Sequence, residues 1–489
     1  MRAIIGVDVG TSVTKAVAFG RDGVALASAA RPSRLDRLPG GRVEQDLEDV
    51  LRTVAEVVRE VAAALPAPPA ALALTGQGDG LWLRDEAGRA VRPPISWLDG
   101  RGGETVARWR ADGTLTALYA LTGSGLFPGC HAPLLRWLAE HEPAALERAS
   151  VAGYCVDAVA QRLTGVITVD ASDASLPFLD VTTRTYVPAA LELCGLGDHA
   201  RLLPPPAAPG TVLALDDEGA RLTGLPPGLP VVSGPYDLPA CAIGSGVRDV
   251  GDGLLIVGTT LACQVLTDRA VVDPAADPAG MWLCVPDQDR WLRAMPAMVG
   301  TAALRWVLDL TGTTTAELDT LLGQSPPGAG GVTALPFLSG AGERAPFVEP
   351  AAQGRLDGLG LGTSRADAVR AVCEAVAYAA RHCLEAAGLS GRLALCGGGV
   401  RSAAWTEIFA DVIGHPAAVP DEPEVGARGA AAVAWRSLGD PVDAPHWRSA
   451  SRTVEPRAEL RGAYEDGYAG YRDRLARALD EWRTSGPAS

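Results

Sequence analysis

Ala3-Ile4-Ile5-Gly6-Val7-Asp8-Val9-Gly10-Thr11-Ser12-Val13-Thr14-Lys15-Ala16-Val17-Ala18 is the stretch whose reading decides the fold class. Ile4, Ile5, Val7 and Val9 are β-branched and read as a strand, Gly10-Thr11-Ser12 breaks the run, and Val13 to Phe19 resumes it. Asp22-Gly23 is a hairpin signal and Val24 to Ala29 reads as a third strand, so the chain opens with an antiparallel meander. A tight turn of glycine and hydroxyl residues presents N–H groups and Oγ atoms to an anion. Lys15 can add a point charge toward phosphates, and Asp8 could hold Mg²⁺ directly or through water. An ordinary hairpin with Asp8 as a turn residue has the same local signature.

Working outward, Val50, Val54, Val57, Val58 and Val61 give Leu47 to Leu65 a helical spacing, ended by Pro66 to Pro69. Ala71 to Thr75 is a short strand running into Gly76-Gln77-Gly78-Asp79-Gly80, and Leu81 to Leu83 is another. Ile95 to Arg101 reads as a strand entering a polar turn, and Pro133 to Gln161 as mostly helical. Pro226, Pro227 and Pro230 precede a strong strand, Val231-Val232-Ser233-Gly234. Asp252 to Gln264 then echoes the opening: an apolar strand, Gly258-Thr259-Thr260, and a second strand. The echo predicts two related α/β domains, 1–230 and 231–489. Later, Arg365 to Ala387 reads as a long helix, Leu393 to Cys396 as a strand into Gly397-Gly398-Gly399, and Gly426 to Ser437 and Gly462 to Trp482 as helices.

The 489 residues carry a formal charge of −15, and Lys15 is the only lysine among 43 basic residues. The lone lysine excludes a Walker A loop and a protein-kinase signature, and it makes a Schiff-base enzyme a poor fit. The acidic balance argues against sequence-independent nucleic-acid binding. Nine scattered cysteines without Cys-x-x-Cys fit a reducing compartment, and the six histidines, among them His446, show no metal-ligand spacing. Asp8 interrupts the N-terminal apolar run, so it does not read as a signal peptide, and no apolar stretch is long enough for a membrane span. The expected location is cytoplasmic.

Several positions carry candidate chemistry. Gly258-Thr259-Thr260 repeats the phosphate-turn logic of Gly10, Thr11 and Ser12. Gly397, Gly398 and Gly399, followed by Ser402, let backbone approach a flat or anionic ligand at a helix start. Asp237, after the Val231 strand, reads as a helix N-cap or as a general base, and one carboxylate can do both. Gln77, Asp79, Trp97, Asp99 and Arg101 offer amide, carboxylate and indole groups to a polyhydroxylated ligand.

In order along nearly the whole chain, these pieces resemble the FGGY family of carbohydrate kinases. The resemblance rests on Asp8-x-Gly-Thr-Ser-x-x-Lys15, Thr75-Gly-Gln-Gly-Asp-Gly80, Trp97-Leu-Asp-Gly-Arg101, Ser172-Asp-Ala-Ser175, Gly234-Pro-Tyr-Asp237 and Gly258-Thr-Thr260. It continues through Gly342-Glu-Arg-Ala-Pro346, Gly397-Gly-Gly-Val-Arg-Ser402 and Glu424-Val-Gly-Ala-Arg-Gly429. It implies two domains of the actin and hexokinase type (ribonuclease H-like), with ATP and sugar in the cleft between them. The first domain would bind sugar or polyol and the second nucleotide. By the same resemblance, Asp237 would be the base and a metal neighbour, Asp8 would sit near Mg²⁺, both hydroxyl turns would face phosphates, and the triple glycine would lie under the adenosine. Similar kinases are commonly dimers.

Xylulose kinases usually carry Gln-Met-His-Gly where this chain has Gln77-Gly78-Asp79-Gly80, which is more like erythritol kinases, while Pro94 to Arg101 leans toward pentulose kinases. The expected acceptor is therefore a small linear polyol or ketose with a terminal hydroxyl. A non-catalytic, sugar-binding or regulatory homologue is the alternative. It calls for degraded phosphate turns or a missing base, whereas Asp8, Lys15, Asp237 and Gly258 are all present. An ATP-driven chaperone or filament protein is disfavoured by the Trp97 cluster.

Overall fold

The structure is a computed structural model describing residues 2–440, 447 and 451–485. It divides into two compact units, the first made of Met1–Gly246, Thr267–Leu292 and Glu424–Ser449, the second of Val247–Leu266, Arg293–Pro423 and Ala450–Ser489. His446 lies outside the described residues.

The first unit is built on a six-stranded mixed sheet. Its strands are β1 (Ala3–Val9), β2 (Val13–Gly20), β3 (Ala25–Pro32), β4 (Ala71–Gly76), β5 (Leu213–Ala214) and β6 (Pro230–Ser233), in the order β5–β6–β4–β1–β2–β3. The opening meander forms as its alternation dictates, with Asp8 opposite Lys15 and Val9 opposite Thr14 across the first turn. β4 runs parallel to both β1 and β6. The helix Leu47–Ala63 covers one face. Asp46 caps it by accepting from the Glu48 N–H (2.8 Å), Glu48 and Asp49 complement the dipole of its first turn, and Leu47, Val50, Leu51, Val54, Val57, Val58 and Val61 are buried. Each of these aliphatic side chains contributes about 1.5–3 kcal/mol when fully buried, so a charge at Val54 would break this contact.

The other face is closed by a segment from far along the chain. The helices Asp237–Gly244 and Val425–Ser437 meet through glycines: a β-carbon on Gly244 would lie 1.9 Å from the Val425 carbonyl oxygen, and one on Gly429 1.9 Å from that of Ala240. Gly6 on β1 is equally tight, with only 2.1 Å from a hypothetical β-carbon to the Ala427 oxygen. The small residues of Glu424–Gly429 are thus a packing requirement, and their fit carries Glu424 and Gly426 to the end of β1.

These contacts alter the expected division at 230/231. The strand expected to open the second domain is β6, which pairs within the first sheet beside β4, and Thr267–Leu292 and Glu424–Ser449 also join the first unit. The residue stretch Ile95 to Arg101 is not a strand. Ile95 makes single bridges to Glu44 and Leu81, and the chain then bends. Within Pro133 to Gln161 a short strand, Val151–Gly153, separates the helices.

The second unit repeats the scheme with β7 (Gly253–Val257), β8 (Leu261–Thr267), β9 (Leu393–Cys396), β10 (Ala417–Pro420) and β11 (Ser451–Val454), adjacent in the order β8–β7–β9–β10–β11. β7 is antiparallel to β8 and parallel to β9, β9 is parallel to β10, and β10 is antiparallel to β11. The first unit has the same sequence of directions through β2–β1–β4–β6–β5. The echo in the sequence is therefore an echo of topology. Arg365–Ala387, whose N-cap Ser364 forms a reciprocal capping box with Asp367, is the central buried helix of this unit. Among the described residues, no helix is long and apolar enough to cross a membrane.

Candidate functional site

Parallel β1, β4 and β6 bring their carboxyl ends to one edge of the first sheet, where open α/β sheets bind ligands. Asp8 is on β1, Gln77 and Asp79 directly follow β4, and Asp237 follows β6 as the first residue of the helix Asp237–Gly244, with Tyr236 at the N-cap position. Sequence reasoning left Asp237 open between cap and base, and the backbone now places it inside the helix. Burial, then the neighbouring Asp8 carboxylate, push its pKa up to about 8, with the Leu238 N–H opposing and Asp79 reinforcing the rise. Burial also lifts Asp8 to about 6, partly offset by Lys15 and reinforced by Glu424. Two buried carboxyl groups, one of which raises the proton affinity of the other, form a site poised to hold a proton or a cation.

Lys15 and Glu424 lie beside this pair. The Lys15 ammonium is 2.7 Å from the Glu424 carboxylate, so the chain's sole lysine is held by an ion pair. Glu424 reaches it because the helix Val425–Ser437 returns to β1. Gly426 keeps room for Asp8, since a β-carbon there would be 2.7 Å from Asp8 Oδ2. Glu424 was carried in the sequence only as part of a motif, and nothing local pairs it with Lys15.

Thr11 joins the turn to the other candidates. Its hydroxyl accepts from the Trp97 indole N–H (2.8 Å) and donates to Gln77 Oε1 (3.1 Å). The phosphate-turn threonine is therefore tied to two residues expected at the acceptor. Gly10 approaches closely, with 2.6 Å between a hypothetical β-carbon and the Val13 oxygen, and Ser12 is exposed at the tip, its carbonyl accepting from the Ser33 N–H (2.9 Å). Asp79 adopts a left-handed backbone (φ 53°), an unusual state for a residue with a side chain.

Asp99 and Arg101, also expected at the acceptor, are spent on each other. Asp99 accepts from the Val43 N–H (2.6 Å) and from the backbone N–H (2.8 Å), Nε (2.8 Å) and Nη2 (2.9 Å) of Arg101. Arg101 also donates to Glu44 at 2.7 Å and faces the Trp137 ring at 5.1 Å. Both side chains are buried and each Asp99 carboxylate oxygen accepts two bonds, so the pair clamps the bend that presents Trp97.

Asp173, in the Ser172–Ser175 motif, is 1% exposed, and neither carboxylate oxygen has a hydrogen-bond partner. Burial first, then Asp157, Asp170, Asp237 and Asp79, raise its pKa well above the ordinary carboxylate range. Beneath it, Arg84 and Asp157 form a buried ion pair, and the Asp157 carboxylate also accepts from the Tyr154 N–H (2.6 Å).

In the second unit, parallel β7 and β9 likewise bring two turns together. Gly258-Thr259-Thr260 follows β7 and is fastened to the next helix, its Gly258 and Thr259 carbonyls accepting from Thr301 N–H (2.8 Å) and Ala302 N–H (3.2 Å). Gly300 permits this contact, for its β-carbon would lie 2.6 Å from the Thr259 oxygen. Thr259 is exposed. After β9, Gly397 (φ 96°) leaves no room beside Val257, whose carbonyl oxygen is 2.7 Å from a hypothetical β-carbon, and Gly399 would strike the Val257 side chain at 2.3 Å. Gly398 is exposed with nothing within 4 Å of its β-carbon position. Ser402 is engaged structurally: it caps the helix Ala403–Ile413 by accepting from the Trp405 N–H (3.0 Å) and donates its hydroxyl to Asp319.

A repeated strand–turn–strand sheet, with carboxylates at the strand ends of one unit and glycine and hydroxyl turns at those of the other, is a two-domain α/β fold of the actin and hexokinase type. The family models extend this to a particular group. That for the FGGY family of carbohydrate kinases, N-terminal domain, matches residues 3–244, and that for the C-terminal domain matches residues 253–438. The chain is 32% identical over 456 residues to the erythritol kinase of Brucella abortus (strain 2308), covering 89% of this chain and 87% of the relative. It is 30% identical over 451 residues to the xylulose kinase of Klebsiella pneumoniae, covering 90% and 91%. Among solved structures, xylulose kinase from Rhodospirillum rubrum superposes with a TM-score of 0.88 at 30% identity, covering 99% of this chain and 100% of that one. Xylulose kinase from Lactobacillus acidophilus reaches a TM-score of 0.91 at 21% identity, with 99% and 100% covered. The chain belongs to the FGGY family of carbohydrate kinases. It is an ATP-dependent sugar or polyol kinase, a phosphotransferase with an alcohol group as acceptor.

Proposed function

We propose that the chain transfers the γ-phosphate of ATP to a terminal hydroxyl of a small linear polyol or ketose of the erythritol or xylulose kind, with Asp237 as the base. The observation that carries this reading is the position of Asp237, at the start of the helix after β6 and near Asp8 and Asp79, in surroundings that push its pKa up to about 8. A carboxylate so tuned can take the hydroxyl proton as the phosphoryl bond forms. Gln77, Asp79 and Trp97 would receive the acceptor: amide and carboxylate for hydroxyls, indole for the carbon chain. The relatives named erythritol kinase and xylulose kinase support an acceptor of this size.

In this reading the first unit binds the acceptor and the second the nucleotide, the exposed Gly398 and Thr259 lying where backbone and hydroxyl can approach it. Phosphoryl transfer needs alignment and charge neutralisation rather than covalent help from the protein. Lys15 supplies one cation, and its partner Glu424 holds it in place until phosphate oxygens compete for it.

Among the described residues, no group of three or more His, Cys, Asp or Glu could hold a metal ion. Asp8 and Asp237, whose charged forms burial disfavours, nonetheless fit Mg²⁺, which is commonly held by one or two carboxylates with water and phosphate oxygens completing the shell. When bound, Mg²⁺ would neutralise phosphate charge. Nine free cysteines support a cytoplasmic location.

The test is ADP release measured over erythritol, xylulose, ribulose, glycerol and gluconate. Turnover with one or more of the short acceptors is expected. Ligand binding without ADP release for any of them would favour the regulatory alternative.

A further inference from the structure

We propose that Tyr236 sets the length of acceptor this site takes, its ring filling the space that Gly78 leaves open, so that four-carbon polyols are preferred over five- and six-carbon acceptors. The inference rests on the phosphotransfer reading above and adds to it a residue that selects the substrate. Tyr236 immediately precedes Asp237 and is 3% exposed. It is fixed from several sides: its N–H donates to Ser172 Oγ at 3.1 Å, and its hydroxyl lies 3.8 Å from Met281 Sδ. A β-carbon on Gly78 would fall 2.5 Å from Cδ2 and 2.7 Å from Cε2 of the Tyr236 ring. The volume that a side chain at position 78 would fill is therefore occupied by a ring arriving from the neighbouring strand end.

The loop carrying Gly78 has little freedom to recede. Gln77 N–H donates to the Val9 carbonyl (3.1 Å) and Gly80 N–H to the Gly129 carbonyl (3.0 Å). A β-carbon on Gly80, whose φ is 71°, would lie 2.6 Å from the Ile95 oxygen. Tyr236 thus joins the carboxylate proposed to take the proton, its neighbour in the chain, to the loop that presents Gln77 and Asp79, against which its ring is packed. With the reacting hydroxyl seated at Asp237 and the carbon chain running toward Gln77 and Asp79, as proposed, an acceptor one CHOH unit longer would press a hydroxyl against an aromatic face that cannot pair it, and an unpaired buried hydroxyl is strongly disfavoured. One misfit unit of this size is worth roughly 10–100-fold in kcat/KM.

The experiment measures kcat/KM with ATP for a tetritol, a pentulose and a hexonate in the wild type, Tyr236→Phe, Tyr236→Ala, Tyr236→Leu, Gly78→Ala and the double variant Gly78→Ala/Tyr236→Ala, each checked by thermal melting. The wild type should favour the tetritol roughly 10–100-fold, and Tyr236→Phe should retain that preference. Tyr236→Ala should erase most of it by favouring the longer acceptors, and Tyr236→Leu, which keeps a packed side chain, should move the same way if the alanine variant does not fold. Gly78→Ala should lower turnover of every acceptor, and the double variant should recover it, since the ring that its methyl strikes is gone. A wild type that turns over the longer acceptors as well as the tetritol, an unchanged preference in folded Tyr236→Ala or Tyr236→Leu, or failure of the double variant to recover would overturn the inference while leaving the kinase reading intact. A wild type that phosphorylates none of the acceptors would overturn the reading beneath it.

Discussion

The two sheets share one order of strand directions and carry opposite chemistry at their strand ends. In the first unit the turn after β1 is surrounded by charge: Asp8, Asp79 and Asp237 at the edge, with Lys15 and Glu424 beside them. In the second, the turns after β7 and β9 are glycines and threonines whose backbone is fixed by close contact with Val257 and by bonds to the helix Thr301–Thr311. A duplicated scaffold can therefore support two tasks without changing its topology. One edge is adjusted through pKa and ion pairing, the other through how closely backbone can be approached.

The largest expected effect tests the charged edge. Asp237→Asn should lower kcat by about 10²–10⁴-fold with little change in the ATP KM, and a variant retaining full turnover would remove Asp237 from its role. With Asp237 as the proposed base, its ionised form would be the active one, so the acceptor kcat/KM should rise with pH as its carboxyl titrates near 8. Asp8→Asn removes a neighbour that raises that pKa, so the rising limb should move to lower pH. A limb that stays in place would break the electrostatic half of the comparison.

The glycine edge should respond in stability. Gly397→Ala and Gly399→Ala each force a methyl against Val257 and should destabilise the chain by about 1–3 kcal/mol, read from denaturant midpoints. Gly6→Ala, which meets the Ala427 carbonyl, is the matching variant in the first unit and should cost at least as much.

Glu343 offers a pH test confined to the second unit. Its Oε1 accepts from the Met298, Arg344 and Ala345 N–H groups, while Oε2 is buried without a partner. Burial lifts its pKa from 4.5 to about 7 against those bonds. Because the folded value is the higher one, the native chain holds a proton that the unfolded chain has released between these limits. Stability should therefore fall as pH rises through that window, by at most roughly 3 kcal/mol. Glu343→Gln keeps the acceptor oxygen and removes the titration, so the difference between the two proteins' unfolding midpoints should shift steadily from pH 4.5 to 7 and level off above. A flat difference would overturn the assignment.

The smallest expected effect is the most specific. Gly398→Ala meets nothing within 4 Å and has no positive φ, so its stability should stay within about 0.5 kcal/mol of wild type. If the nucleotide lies over this turn, the ATP KM should nevertheless rise. An unchanged ATP KM would leave Gly397–Gly399 as a packing device alone.

Much of this was legible because it is local. The meander needs only β-branched runs, a glycine break and Asp22-Gly23. Arg365–Ala387 needs only its periodicity and cap, and the structure returns the helix over those residues. The repeat was visible as two strand–glycine–hydroxyl–strand units. Ile95 to Arg101 was misread as a strand because its apolar start resembles one, while Asp99 and Arg101 hold it in a bend. Ser402 looked like a ligand residue because the local pattern contains neither the cap it forms nor Asp319. The boundary at 230/231 followed a proline-rich shift in composition, yet hydrogen bonding places β6 with β4.

What the sequence determined alone was the kind of chemistry available and the strands that would display it, since residue types and short-range periodicity act within a few positions of themselves. Tertiary structure decided which groups meet. Glu424 reaches Lys15 because glycine-on-carbonyl packing returns a late helix to β1, and Asp8 raises Asp237 because parallel pairing brings two strand ends together. Tyr236 fills the space over Gly78 for the same reason. These contacts depend on close packing between residues far apart in the chain, where a missing β-carbon or a buried carboxylate has consequences only through its neighbour.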